Sequence, residues 1–364
     1  MDFLFGLLVI LLPTQIALHI WPDWALVQGI RVDYLAPAIY LTDIIIVALV
    51  LNLKKIPRFF FYLLPFIALN TIYSEIWQVT LFKWIKITEF GLLAVFVNEN
   101  KKQIINRLPK PLLIAVGYSL LFGMAQILNG GTLNGLFYFL GERSFNLSTP
   151  GIALVNIFGQ NYIRPYATFP HPNVFAGFML VSFFIFSLSK NRKIIEKSGM
   201  IISFIGVIIS FSLGAYIALI GSFLFKKSFR FLFPAVLYFS LVLPIFSSFV
   251  LIGGVHLPKN IEERLVLSKT AGEVFSASPL IGSGLGTSLA ASRLLQPPHN
   301  IFLLVFSEVG IIGICLFVYL IVKLFRKSPS IVLFAILLTG MVDHYWLTLQ
   351  QSQLLFAIVI GGIL

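Results

Sequence analysis

The residue best placed to move a proton in this chain is His299, which follows Pro297-Pro298 and opens an apolar run with Asn300. Imidazole titrates near neutral pH, so a histidine at the mouth of a helix can serve as a general base toward a hydroxyl. The plain alternative is an interfacial histidine with no role. Arg164 begins a second candidate segment, Arg164-Pro-Tyr-Ala-Thr-Phe-Pro-His171-Pro-Asn173, running straight into another apolar stretch. Arginine offers a planar fork that grips phosphate in two places, where a lysine offers a point charge. The same arginine could simply reach to water while the prolines shape a turn.

A third segment, Glu262 to Phe275, mixes Arg264 and Lys269 with apolar residues and suits a short helix on the outer surface. Pro279-Leu-Ile-Gly282-Ser-Gly284-Leu-Gly286-Thr287 follows. No strand precedes this glycine-rich stretch and no P-loop lysine follows it, so a flexible turn is expected rather than a nucleotide loop. Glu308 lies nine residues after His299, about 13 Å along a helix and on its opposite face. At that depth it must be neutral or paired with another helix. Lys83, Lys86 and Glu89 share one helix face, either as a self-satisfied polar stripe or as a cationic wall for an anionic headgroup. Asp343-His344-Tyr345-Trp346 closes a late apolar stretch, and the adjacent Asp343 and His344 point in different directions.

The elements that must position these residues are membrane helices. Of 364 residues 58% are hydrophobic and 11% charged, with a mean hydropathy of +0.96, whereas soluble domains carry about 25% charged residues. The apolar runs are continuous rather than alternating, which excludes a closed β-barrel. Helices remain. Residues 1 to 20 carry Asp2 and no basic leader, and read as a first membrane helix rather than a cleaved signal. One cysteine, Cys315, leaves no internal disulfide and no cysteine-based metal site.

The net charge of +12 fits basic residues on the cytoplasmic side rather than a nucleic-acid surface. Clusters fall at Lys54 to Arg58, Lys101 to Lys110, Lys190 to Lys197, Lys226 to Arg230 and Lys323 to Lys327. Eleven apolar segments place the fourth cluster outside unless 199–225 splits at Ser212 to Gly214 into a short helical hairpin. The expectation is therefore an all-α, polytopic bundle of about twelve spans, one integral domain over 1–364. Both termini lie inside, and two external loops, about 130–167 and 253–298, carry the function.

Arg164 with Thr168 to Asn173, Ser212-Leu213-Gly214-Ala215, Arg264, the glycine stretch 279–286, His299-Asn300 with Phe302, Glu308, Gly310 and Gly313, and Asp343-His344 with Gln350 and Gln351 occur in one order. In that order and spacing, over roughly 160–364, the chain resembles the O-antigen ligase and O-antigen polymerase family of bacterial membrane glycosyltransferases. The resemblance implies a polyprenyl-diphosphate-linked glycan donor of the undecaprenyl type, a glycan or lipid acceptor, and a site on the external face of the inner membrane. It also implies no metal, no cofactor, and transfer to a hydroxyl with inversion, as in lipopolysaccharide and other cell-surface polysaccharide biosynthesis.

By the same resemblance Arg164 and Arg264 hold the diphosphate and His299 activates the acceptor. His171, Asn173, Asn300, Glu308, Asp343 and His344 support them. The family's Ser-Arg-Gly turn reads Ser212-Leu213-Gly214 here, and Lys83 or Lys86 is expected to replace the missing cation. Ligase and polymerase stay open. So does a transporter or flippase for lipid-linked oligosaccharides, which would use a cationic cavity without chemistry.

Overall fold

The computed structural model describes residues 2–189, 193–252, 258–328 and 330–363, with backbone alone at 225–233 and 252. Lys190, Arg192 and residues 253–257 of the second loop lie outside the described residues, as do the side chains of Lys226, Lys227 and Arg230. The chain is predominantly helical, at 68%. Its first half contains α1 (Asp2–Leu11), α2 (Leu41–Val50), α3 (Phe59–Ile72), α4 (Trp77–Glu99), α5 (Lys101–Arg107) and α6 (Pro109–Asn129). Then come α7 (Pro172–Ser187), α8 (Ile194–Ile209), α9 (Leu213–Phe223), α10 (Phe225–Ile252) and α11 (Lys259–Ala277). The last are α12 (Ser288–Ser292), α13 (Ile301–Lys327), α14 (Ile331–Gly340), α15 (Tyr345–Thr348) and α16 (Gln350–Ile363).

Among the described residues three helices are long and apolar enough to cross a membrane: α6, residues 234–251 of α10, and α13. Seven shorter apolar helices, from α1 to α16, have 10–17 residues. The 23-residue α4 is long but carries Lys83, Lys86 and Glu89. Among the described residues the only sheets are two-stranded antiparallel ladders. They pair β1 (Ala17–His19) with β4 (Ala38–Tyr40), β2 (Leu26–Val27) with β3 (Ile30–Arg31), and β5 (Leu154–Ile157) with β6 (Gln160–Ile163).

The first helix is shorter than expected. It stops at Leu11 instead of running to residue 20, because Pro13 has no N–H to continue it. The Pro13 carbonyl instead accepts from the Thr168 hydroxyl at 2.6 Å and from the Gln351 amide, tying the chain's start to α16 and to the segment before α7. The freed residues 17–40 form the small ladders that cover the cavity described below.

The core sits around α7, which is buried along nearly its whole length and packs on α8 and α14, while α16 packs on α4. Large side chains from distant segments fill it: Phe96, Phe169, Phe175, Phe184, Phe302, Phe334 and Trp346 are almost fully enclosed.

Two irregularities shape the site. Between α8 and α9 the chain turns at Ser210 to Ser212, with Phe211 at φ 49°. In α13 the helix is broken at Gly310, whose φ is 63°. The glycine-rich stretch is not a flexible turn; it is wedged into that break. Ser283 and Gly284 N–H donate to the carbonyls of Ser307 and Glu308 (both 3.0 Å), and Ile311 N–H donates to Pro279 O at 2.9 Å. These bonds replace the helix bonds lost at the break. A Cβ at Gly282 (φ 74°) would stand 2.3 Å from the Glu308 backbone, and one at Gly310 would stand 2.5 Å from Leu280. Only glycine fits at either place.

Candidate functional site

A cavity of about 510 Å³ opens among the β1–β4 ladder, α4, the start of α7 and the segments flanking α13 and α15. Its wall carries Arg31, Lys83, Lys86, Arg143 and Arg264 against Asp33 and Asp343, together with His171, His299, His344 and Asn173. Most of the residues picked out by sequence thus meet in one place, from segments more than 250 positions apart.

His299 lies just before α13. Its Nδ1 is 3.5 Å from Asp343 Oδ1, and its Nε2 is 3.3 Å from Gln296 Oε1. Asp343 is buried, accepts from the His344 backbone N–H at 2.9 Å and accepts from Asn173 Nδ2 at 3.0 Å. Burial would raise its carboxyl pKa. The contact with His299 and the imidazoles of His344, His299 and His171 outweigh that, so it is held well below the usual carboxylate range and stays ionised. A proton on Nδ1, facing the carboxylate, would leave Nε2 as the basic atom, and Nε2 itself lies against the Gln296 amide oxygen.

His171 and His344 are held neutral by burial. Burial pushes His344 down to about 3 and His171, just ahead of α7, down to about 4. His344 Nδ1 is 2.8 Å from Thr348 Oγ1, and its ring lies 5.1 Å from that of His299. His171 caps α7, its Nδ1 accepting from Asn173 N–H at 3.1 Å.

The arginines are placed differently from one another. Arg264 reaches the cavity from α11 and donates Nη1 to Val342 O at 2.7 Å. Arg164 does not line the cavity. Its Nε donates to Ser210 O and its Nη2 to Asn173 Oδ1, both at 2.8 Å, so the turn between α8 and α9 is fastened to the start of α7. Leu213, where the resembled family has arginine, is 70% exposed and points away from this network.

The two lysines of α4 separate. Lys86 is buried and paired with Asp43 at 2.5 Å and Glu89 at 2.9 Å, and Asp43 also accepts from Gln350 Nε2. Lys83 has no hydrogen bond or ion pair among the described residues. It faces the main cavity and a recess of about 30 Å³, room for one water, whose wall includes Glu308. Glu308 is held by the loop in the helix break, accepting from Gly286 N–H and Ser288 Oγ at 2.8 Å each. Asn300 caps α13, its Oδ1 accepting from Phe302 and Leu303 N–H at 2.9 and 3.1 Å, and takes no part in the cavity.

His299, Asp343 and His344 offer ligand atoms within 4.8 Å of one another, the one such group of three among the described residues. Two neutral imidazoles and a carboxylate can hold a divalent ion. Here the Asp343 oxygens and His344 Nδ1 already have protein partners, and Arg264 stands on the same wall.

Four contributors were not legible in the sequence. Arg143 and Gln296 lie in loops without a motif, Tyr34 lies in the turn between β3 and β4, and Asp43 meets Lys86 across 43 positions. Tyr34 stacks edge-on to His344 at 5.4 Å, and Arg143 donates to Pro170 O at 3.1 Å. No protein-family model and no curated protein matches the sequence.

Proposed function

We propose that the chain is a membrane glycosyltransferase that moves a glycan from a polyprenyl diphosphate to a hydroxyl acceptor, in the manner of the O-antigen ligases and polymerases it resembles. One observation carries the reading: an imidazole backed by a buried carboxylate opens on a cavity walled by Lys83, Arg143 and Arg264. In the proposed reaction His299 Nε2 takes the proton of the acceptor hydroxyl while its oxygen bonds to the anomeric carbon. The bond from that carbon to the diphosphate oxygen breaks, and the diphosphate leaves with the electron pair. Lys83, Arg143 and Arg264 meet its growing charge from the cavity wall. Asp343 stabilises the imidazolium, and Gln296 Oε1 is placed to accept its new N–H.

The same proposal sets the chain in the bacterial inner membrane as a bundle of about twelve crossings with the cavity on the external side. Basic clusters at the opposite ends of the helices support that orientation. So do exposed apolar side chains such as Leu121, Leu128, Ile220, Phe223 and Phe249, which suit lipid better than water. Purified protein given a polyprenyl-diphosphate-linked glycan and a hydroxyl acceptor should release polyprenyl diphosphate, and His299→Ala should stop it while the protein stays monodisperse. Movement of the lipid-linked glycan across vesicles without transfer, unaffected by His299→Ala, would instead support the flippase reading.

A further inference from the structure

We propose that Arg164 is a positioning residue that acts on His299 through Asn173 and Asp343, and that it does not hold the ligand's phosphates. This rests on the glycosyltransferase reading only in what it says of turnover. The chain of contacts is continuous. Arg164 Nη2 donates to Asn173 Oδ1 (2.8 Å), Asn173 Nδ2 donates to Asp343 Oδ2 (3.0 Å), and Asp343 Oδ1 faces His299 Nδ1 (3.5 Å).

An asparagine amide can rotate by 180° and exchange its oxygen and nitrogen, and the Arg164 guanidinium, which can only donate, forbids that here by its 2.8 Å contact to Oδ1, to which the Ser212 hydroxyl also donates at 3.2 Å. With Oδ1 fixed by a cation, Nδ2 is the atom left to face Asp343. That donation occupies Oδ2, and Oδ1, which also accepts from the His344 backbone N–H, is the oxygen that faces His299. Arg164 is itself anchored by Nε on Ser210 O, in the turn between α8 and α9. Two of its directions are therefore spent inside the protein, and it is absent from the cavity wall on which Lys83, Arg143 and Arg264 stand.

The network also gives that turn its purpose. The extended Ser212 and left-handed Phe211 aim the Ser210 carbonyl and the Ser212 hydroxyl at the pair Arg164 and Asn173. In this chain the turn holds the arginine that sets the asparagine, while Leu213, the first residue of α9, faces outward.

The test uses the full chain in detergent and two readouts. The first is the rate at which diethylpyrocarbonate modifies His299, read on its own peptide by mass spectrometry, with no need for substrate. Arg164→Gln and Asn173→Ala should each raise that rate at least threefold, and the double variant should go no further, since both act along one chain. Lys83→Met should leave it unchanged. An unaltered rate in Arg164→Gln, or an effect in the double variant equal to the product of the single effects, overturns the proposal. The second readout is turnover with a polyprenyl-diphosphate-linked glycan. Arg164→Gln should lower kcat with donor KM within twofold of the parent. A tenfold rise in KM with kcat intact would place Arg164 on the phosphates and overturn the proposal. Absence of turnover in the parent chain would count against the glycosyltransferase reading alone, and the modification rates would still decide the role of Arg164.

Discussion

Nδ2 of Asn173 donates to Oδ2 of Asp343 at 3.0 Å across 170 positions of sequence. This bond joins the first turn of α7 to the segment after α14 and places a buried carboxylate behind His299. The account of the site depends on it, because an imidazole with an ionised partner at one nitrogen has its other nitrogen free to take a proton.

The carboxylate is the first point of test. Asp343→Asn keeps the shape of the side chain but removes the charge that stabilises an imidazolium. General-base assistance is worth about 10²–10⁴ in rate. Turnover by Asp343→Asn should fall within that range while binding of polyprenyl diphosphate, followed by thermal shift, stays within twofold.

Lys83 and Lys86 should behave as opposites although they are one helical turn apart. Lys83→Met removes an unpaired cation from the cavity wall and should weaken polyprenyl-diphosphate binding about tenfold, as expected for one lost charged hydrogen bond. Lys86→Met strands Asp43 and Glu89 in a buried place and should cost about 3–5 kcal/mol of stability, read as a large fall in Tm. Equal effects of both variants on binding, with stability untouched, would contradict this division.

The buried histidines set an acid limit on stability. His344 and His171 are held neutral in the folded chain at about 3 and 4, below the 6.5 of a free histidine. Under acid the unfolded chain therefore takes up protons that the folded chain refuses. Stability is full above about pH 6.5 and declines as pH falls toward 4, and Tm in detergent should follow that course. His171→Gln and His344→Gln should each flatten the decline between pH 6.5 and 4.

The break in α13 makes a structural prediction. Gly282→Ala would push a methyl group to 2.3 Å from the Glu308 backbone in a left-handed conformation. Loss of the wedged loop should lower Tm and release Glu308 from Gly286 and Ser288, whereas Gly362→Ala, which has open space, should leave Tm unchanged.

How much of this could be read from sequence varies residue by residue. The helical class follows from continuous apolar runs, and the positions of His299 and Asn300 at a helix start follow from the prolines before them. The end of α1 at Leu11 hid because the apolar stretch resumes at Ile16, just past Pro13-Thr14-Gln15. Glu308 had no legible partner because its partners are backbone and hydroxyl groups in a glycine stretch, which carry no charge pattern. The alternatives for Lys86 stood open until Asp43 was placed beside it from α2. That the guanidinium of Arg164 turns toward Asn173 and Ser210 is not told by charge and position alone.

Metal dependence follows from the same cluster. Under the proposed function His299 and Asp343 act without an ion, so EDTA should leave the rate within twofold, and added Zn²⁺ should inhibit by bridging His299, Asp343 and His344. A rate abolished by EDTA and restored by Zn²⁺ would reassign these three residues as ligands.

The central claim is that His299 drives group transfer from a polyprenyl diphosphate to a hydroxyl. The most direct measurement is polyprenyl diphosphate released by the purified chain from a lipid-linked glycan, with and without an acceptor, for the parent and His299→Ala. Release should require acceptor and fall at least a hundredfold in the variant. Release unaffected by His299→Ala, or none from a well-folded parent chain with donor bound, would contradict it.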